Sequence, residues 1–204
     1  MTHNALTPAF APALALAAAL GLAGCSPGGG APADAPQAPV AAPVVAQNNA
    51  LPDALLEADG FTPANPGGHG TALKMTFGQP RAEIIDFMTT LHGGTAPTLS
   101  HNDECGAGPM NFARWSDAFT LAFQDGKFAG WWADEHAPSG FSTLDDIRVG
   151  STLAQVRAAW PEVQVMNDSI GPEFHAAGLS GTLSGTAPTA TVTALWAGAS
   201  CIFR

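Results

Sequence analysis

The densest cluster of chemistry-bearing side chains is the segment HNDEC, which holds His101, Asp103, Glu104 and Cys105. A thiolate, an imidazole and carboxylates are all ligands that zinc accepts. Ligands this close together in sequence rarely surround one ion tetrahedrally, and Cys105 has a second cysteine, Cys201, with which to pair. We therefore interpret the segment as a polar loop beside a disulfide, with zinc ligation as the alternative. No metal and no cofactor is expected.

Adjacent acids occur at Asp103 and Glu104 and again at Asp145 and Asp146. Paired carboxylates cleave glycosidic bonds only when they face each other across a cleft, whereas sequence neighbours project in different directions. The sequence also lacks the motifs of a serine-nucleophile elbow, a zinc protease, a phosphate loop and a dinucleotide site. It contains no tyrosine. We therefore expect no catalytic residues, with a hydrolase as the alternative.

Aromatic residues and one arginine are stronger candidates for a binding surface, because Trp and Arg are enriched at interface hot spots. Trp131 is expected on the solvent side of a hairpin, and Arg114 and Trp115 lie on the approach to that hairpin. These three residues form the predicted binding surface. The alternative is that both tryptophans pack beneath helices.

The hairpin is predicted from FTLAFQDGKFAGWW, in which Asp125-Gly126 separates two runs of alternating apolar residues. Because alternate residues of a strand point to the same side, a two-residue turn places Trp131 opposite the core. The same register predicts a core face formed by the pairs Phe123/Phe128, Leu121/Gly130 and Phe119/Trp132.

Two amphipathic helices are predicted on either side of this hairpin. The first follows Pro80, which suits the first helical turn, and ends at Gly93. The second begins with the capping box of Thr152 and Gln155 and ends before Pro161. Residues 55–63 and 71–77 are predicted to form a further hairpin, and residues near 190–203 a last strand.

The helix start and the hairpin turn recur at a constant offset, since Gly78 precedes Gly150 by the same distance as Gly126 precedes Gly198. A fixed offset of this kind is typical of an internal repeat. The sequence therefore predicts an α+β fold of two tandem units, residues 51–140 and 141–204. Each unit would contain a helix followed by antiparallel strands.

The N-terminal region is predicted to be an export signal. Residues 5–20 are Ala/Leu-rich and uncharged, which is too short for a membrane span but typical of a secretory signal. The segment LAGC ends at Cys25 and resembles the lipobox of bacterial lipoproteins, in which the cysteine is acylated after cleavage. We expect a signal peptide over 1–24 and a lipidated Cys25 with a disordered Ala/Pro linker over 25–50. The alternative is that Cys25 is an ordinary residue of the segment or a structural thiol.

Charge and cysteine usage restrict the possible partners. The chain has 17 acidic and 7 basic side chains, a net charge of −10. Since the basic residues are scattered, we exclude nucleic acid, which needs clustered Lys and Arg. In an exported protein the pair Cys105 and Cys201 is most simply a disulfide, with two free thiols as the alternative.

The C-terminal domain resembles a group of uncharacterised bacterial lipoproteins. The likeness is carried by ECGAGP at 104–109, FQDGKFAGW at 123–131, IRVGSTLAQVRAAWP at 147–161, GPEF at 171–174 and LWAGASCIFR at 195–204. More distantly, the repeat resembles the β-lactamase inhibitor protein fold and the small lipoprotein of the barrel-assembly machinery, whose members bind proteins.

This resemblance implies a membrane-anchored lipoprotein of the outer membrane that faces the periplasm. It implies a non-enzymatic module that binds another protein of the cell envelope. Ser26 supports the outer membrane, because it is not the aspartate that retains such lipoproteins at the inner membrane. The alternatives are an envelope hydrolase that acts on cell-wall glycan or peptide, and a small-ligand binder that uses the aromatic face.

Overall fold

The structure is a computed structural model that describes residues 53–64, 73–116, 119–168 and 170–202. These residues all belong to one compact unit, Ala46–Arg204. The predicted signal peptide, the lipidation site Cys25 and the Ala/Pro linker lie outside the described residues. No helix in the described ranges is both long and apolar enough to cross a membrane.

The described chain contains strands in two sheets and two helices. The strands are β1 (Ala54–Glu57), β2 (Gly60–Pro63), β3 (Met75–Thr76), β4 (Thr98–Asn102), β5 (Met110–Ser116), β6 (Phe119–Gln124), β7 (Lys127–Ala133), β8 (Phe141–Ser142), β9 (Gln164–Asp168), β10 (Gly171–Ala176), β11 (Leu179–Leu183) and β12 (Val192–Gly198). The helices are α1 (Arg81–Leu91) and α2 (Leu153–Ala159). A small sheet has the order β3-β2-β1-β8, and a large sheet has the order β4-β5-β6-β7-β12-β11-β10-β9.

The fold class predicted from the sequence is wrong. Strands hold 45% of the described residues and helices 13%, so the fold is mostly β and not an α+β arrangement of helix-plus-sheet repeats. Segments such as TLSHN in β4 and GPEFHA in β10 show little apolar alternation. They are strands because of the neighbours with which they pair, and this context is not visible in the local sequence.

Both predicted helices are present at the expected places. Helix α1 follows Pro80, and α2 begins at the predicted capping box. In this box the Thr152 side chain accepts a hydrogen bond from the Gln155 backbone N–H. The Gln155 side chain accepts one from the Thr152 backbone N–H. Helix α2 ends at Ala159, ahead of Pro161. The capping box satisfies two backbone donors that a helix start otherwise leaves open.

One core unites the helices with both sheets. Ile84 of α1 and Val156 of α2 lie in the same buried cluster as Leu56 and Phe61 of the small sheet and Leu121 of the large sheet. Both helices and the small sheet therefore pack on one face of the large sheet, which we call the inner face. Its opposite we call the outer face.

The N-terminal strands differ from the prediction. Residues 55–63 do not form one strand, because the chain turns after Glu57 and pairs β1 with β2 antiparallel. The segment expected to pair with them contributes only β3 among the described residues. Strand β8 then pairs parallel with β1 and completes the small sheet.

The central hairpin turns at Asp125-Gly126 as predicted, but its register changes after the first pairs. Phe123 lies opposite Phe128, whereas Ala122 lies opposite Gly130, so Ala129 is an extra residue on β7. Such a β-bulge reverses the side on which every later side chain of the strand projects. This single extra residue is the reason why the side chains of β7 after Ala129 lie on the faces opposite to those predicted.

The bulge places Trp131 in the core, so its predicted place on an exposed binding surface is wrong. Trp131 lies opposite Leu121 and is 1% exposed. Its Nε1 donates a hydrogen bond of 2.9 Å to the backbone oxygen of Glu57 in the small sheet. Trp132, which was expected in the core, lies instead on the outer face.

Replacement of Trp131 by alanine should lower the free energy of unfolding by about 3–5 kcal/mol, because it removes a large buried side chain. The matched control is Trp132→Ala, whose loss should be clearly smaller because Trp132 is only partly buried. Urea unfolding followed by circular dichroism measures both. Equal losses for the two variants would contradict the observed register.

Candidate functional site

The outer face of the large sheet carries one row of cross-strand neighbours that spans all eight strands. The central members lie beside inner-face residues of their own strands that belong to the core, such as Ala113, Leu121 and Leu195. In sheet order the row consists of Thr98, Arg114, Thr120, Trp132, Trp196, Ser180, His175 and Gln164.

Two tryptophans form the centre of this row. Trp132 of β7 and Trp196 of β12 are stacked, with ring centroids 4.6 Å apart and an interplanar angle of 14°. Trp196 is 3% exposed, whereas Trp132 is only partly buried. A stacked partner holds Trp132 in a defined orientation, which is a property of aromatic anchors in binding surfaces.

A groove of about 260 Å³ lies next to Trp132 on this face. Phe112, Arg114 and Thr120 line one part of it, and the segment from Ala199 to Ile202 lines another. Arg114 Nε donates to Thr120 Oγ1 at 2.9 Å, and this contact holds the guanidinium against the sheet. The groove thus combines aromatic walls with one positive charge.

The wall of residues 199–202 depends on a close approach of two backbones. Gly130 and Gly198 lie opposite each other in β7 and β12. A Cβ on Gly130 would lie 2.2 Å from the Ala199 oxygen, and Gly198 has φ +73°, so neither position accepts a side chain without strain. The bulged residue Ala129 accepts a hydrogen bond of 2.8 Å from Ala199 N–H.

A disulfide fixes the far end of this wall. Cys105 and Cys201 are bonded, with their Sγ atoms 2.11 Å apart, in agreement with the predicted pairing. Asn102 Nδ2 also donates to Cys201 Sγ at 3.3 Å. The bond joins the loop after β4 to the segment after β12, so the wall of the groove is held at both ends.

Apart from the disulfide, side chains of the HNDEC segment make hydrogen bonds with nearby residues. Asp103 Oδ1 lies 2.8 Å from His101 Nε2, and Asn111 Oδ1 lies 3.1 Å from His101 Nδ1. The hydrogen bond to Asp103 raises the pKa of His101 above its ordinary value. Within the described residues no group of three or more His, Cys, Asp or Glu side chains is arranged to hold a metal ion.

The second acidic pair is divided between two contacts. Asp145 Oδ2 accepts a hydrogen bond of 2.8 Å from Trp160 Nε1, whereas Asp146 lies 3.0 Å from Arg148 Nη2. The two carboxylates therefore serve different structural contacts and do not face a shared cleft.

Trp115 does not lie with Arg114 on the outer face, which corrects a further part of the predicted surface. It packs against the core cluster on the inner face, and its ring stacks on His92 with centroids 5.6 Å apart. Trp115 Nε1 donates to the Thr95 oxygen at 3.0 Å. Of the three predicted surface residues, only Arg114 lies on the outer face.

A histidine and a serine meet farther along the row. His175 Nδ1 lies 2.6 Å from Ser180 Oγ across β10 and β11. Glu173, two residues before His175, lies on the same face and is fully buried. His175 Nε2 is enclosed and has no hydrogen-bond partner among the described residues. The contact links two strands, and the groove beside Trp132 is lined by other residues.

Trp132 and its place on the outer face escaped the sequence analysis. The available signal was Gly130, since a glycine within a strand often marks a bulge or a close backbone approach.

Comparison of the chain with known protein families, with curated proteins and with solved structures gave no match.

The stack of His92 on Trp115 predicts a pH dependence of stability. Burial lowers the pKa of His92 below its ordinary value of 6.5. Since the folded state disfavours the protonated imidazole, this contribution to stability is present above the unfolded-state pKa and is lost as the pH falls. The replacement His92→Phe keeps an aromatic ring and removes the titration.

The urea midpoint of the native protein should therefore fall more steeply than that of His92→Phe between about pH 7.5 and 5.5. The His101→Phe variant is the control for a histidine whose pKa is shifted in the opposite direction. Parallel pH profiles for native protein and His92→Phe would show that His92 contributes nothing to this dependence.

Proposed function

We propose that the protein is a membrane-anchored lipoprotein of the outer membrane that faces the periplasm and binds another envelope protein. In this proposal Cys25 carries the acyl anchor and the domain after the linker is a non-catalytic binding module. The observation that carries the proposal is the aromatic and cationic outer face of the large sheet, which is centred on Trp132.

The composition of this face supports a protein partner. Trp132 is partly buried yet reaches the surface, Arg114 lies one strand beyond its neighbour Thr120, and Phe112 completes the apolar floor. Aromatic anchors beside an arginine are typical of interface hot spots. Trp132 is held by its stack on Trp196, and residues 199–202 are held by a backbone hydrogen bond and the disulfide. Both therefore need little reordering when a partner binds, which lowers the entropic cost of binding.

A hydrolase is the alternative function that the sequence leaves open. The contact of His175 with Ser180 is the observation that would support it. A nucleophilic serine needs a base within hydrogen-bond reach, which this contact supplies. It also needs an acceptor that orients the far nitrogen of the imidazole. His175 Nε2 lacks such a partner among the described residues, so we favour binding.

The proposal is tested by chemical crosslinking of the acylated protein in cells, followed by its purification. The native protein should capture one envelope protein, and Trp132→Ala should lose at least nine-tenths of it, since truncation of a hot-spot aromatic costs about 2 kcal/mol or more. The matched control is Leu144→Ala, an exposed residue (85%) between β8 and α2 that should leave capture unchanged.

Two results would contradict the proposal. One is the absence of any captured partner with the native protein. The other is equal capture by native protein and by Trp132→Ala. Unfolding midpoints of both variants show whether a loss of capture comes from the surface or from a loss of fold.

A further inference from the structure

The groove beside Trp132 has the charge of an anion site. Arg114 is the one charged side chain among the described residues that line it. The chain as a whole carries a net charge of −10, whereas the side chains that line the groove carry one positive charge, which Asp134 partly offsets from 3.8 Å. A ligand with a negative charge is therefore attracted to the groove and repelled from most of the remaining surface.

Arg114 has donors left for such a ligand. Its Nε already donates a hydrogen bond to Thr120 Oγ1. Its Nη2 forms an ion pair with Asp134 Oδ2 at 3.8 Å, a separation beyond hydrogen-bond distance. Asp134 Oδ1 in turn accepts from the His136 backbone N–H at 2.9 Å. The guanidinium carries five N–H donors, and its side chain is 42% exposed, so a carboxylate can approach its free edge.

The rest of the groove is apolar and small. Trp132 and Phe112 supply aromatic surface, and Cys201 and Ile202 supply the opposite wall. The volume of about 260 Å³ lies below the roughly 300–1,000 Å³ of pockets for drug-sized ligands. The groove therefore suits one apolar side chain together with a carboxylate.

The last residue of a protein chain has this combination. It carries a side chain and a free carboxylate on the same Cα atom, whereas Asp and Glu within a chain carry the carboxylate without a further apolar group. A phosphate group is less well matched, because it has up to two charges and prefers several donors. Arg114 supplies a single charge.

From this geometry we infer that the groove binds the C-terminal residue of the partner protein. The carboxylate pairs with Arg114, and an apolar or aromatic terminal side chain lies between Trp132 and the wall of residues 199–202. This inference rests on the proposed function, since it names the part of the partner that the outer face recognises.

The probe is a fluorescein-labelled hexapeptide, Ala₅-Phe, made once with a free C-terminal carboxylate and once with a C-terminal amide. Binding to the full-length chain in detergent is measured by fluorescence anisotropy. The acid peptide should bind about tenfold tighter than the amide, as expected for one charge-assisted pair. A third peptide, Ala₆ with a free carboxylate, should bind more weakly than Ala₅-Phe because it lacks the ring.

Two variants assign the two halves of the site. Arg114→Gln should weaken the acid peptide about tenfold and leave the amide unchanged, which also shows that the groove is still folded. Arg114→Lys should keep part of the preference for the acid, because it keeps the charge but loses the planar fork. Trp132→Ala should weaken both peptides.

Equal binding of acid and amide, no dependence on Arg114, or no binding of either peptide would overturn the inference. These outcomes differ from a failure of the proposed function. If the peptides fail while the cells still yield a partner that Trp132→Ala loses, the outer face binds protein and the recognition of a C-terminus is wrong. If both experiments fail, both proposals fall.

Discussion

One extra residue in β7 determines which tryptophan of that strand reaches the outer face of the large sheet. Ala129 is unpaired in the ladder with β6, and every residue of β7 after it projects to the side opposite to that of an unbulged hairpin. Trp131 thereby enters the core, and Trp132 becomes the central side chain of the outer face. The burial of Trp131 and the position of Trp132 on the outer face are therefore two results of the same backbone irregularity.

The same irregularity supports the wall of the groove. The carbonyl of Ala129 accepts the N–H of Ala199, and the facing glycines Gly130 and Gly198 leave room for the chain to pass. The disulfide at Cys201 then holds the end of the segment. Because these constraints are covalent or backbone-based, the groove is largely preformed, which favours affinity by reducing the ordering that binding requires.

Helices and the tight turn were predictable from the sequence because their signals are local. The capping box of Thr152 and Gln155, the helix after Pro80 and the Asp125-Gly126 turn each rely on a few neighbouring residues. The overall class was not predictable in the same way. Strands such as β4 and β10 show little apolar alternation and form by pairing with neighbouring strands, so the predicted α+β fold gave way to a mostly β one.

Site prediction failed where it depended on register. Arg114, a predicted member of the binding surface, lies on the outer face, where it pairs with Thr120. Trp131 was expected on the wrong side, because the side on which a strand residue points reverses with a shift of one position. Trp115 is skipped in the ladder between β5 and β6, a second irregularity that the local sequence does not reveal. The pairing of Cys105 with Cys201 was predicted without any knowledge of register, because it followed from the presence of two cysteines after the predicted linker.

The most direct test of the account places a photo-crosslinking amino acid on either face of the domain in living cells. With the crosslinker at Thr120, on the outer face beside Arg114, irradiation should link the protein to one envelope protein. With the crosslinker at Ala82, on the exposed side of α1, the same band should be absent. A partner linked from Ala82 and not from Thr120 would show that the protein binds through its helical side and that the outer face is not its binding surface.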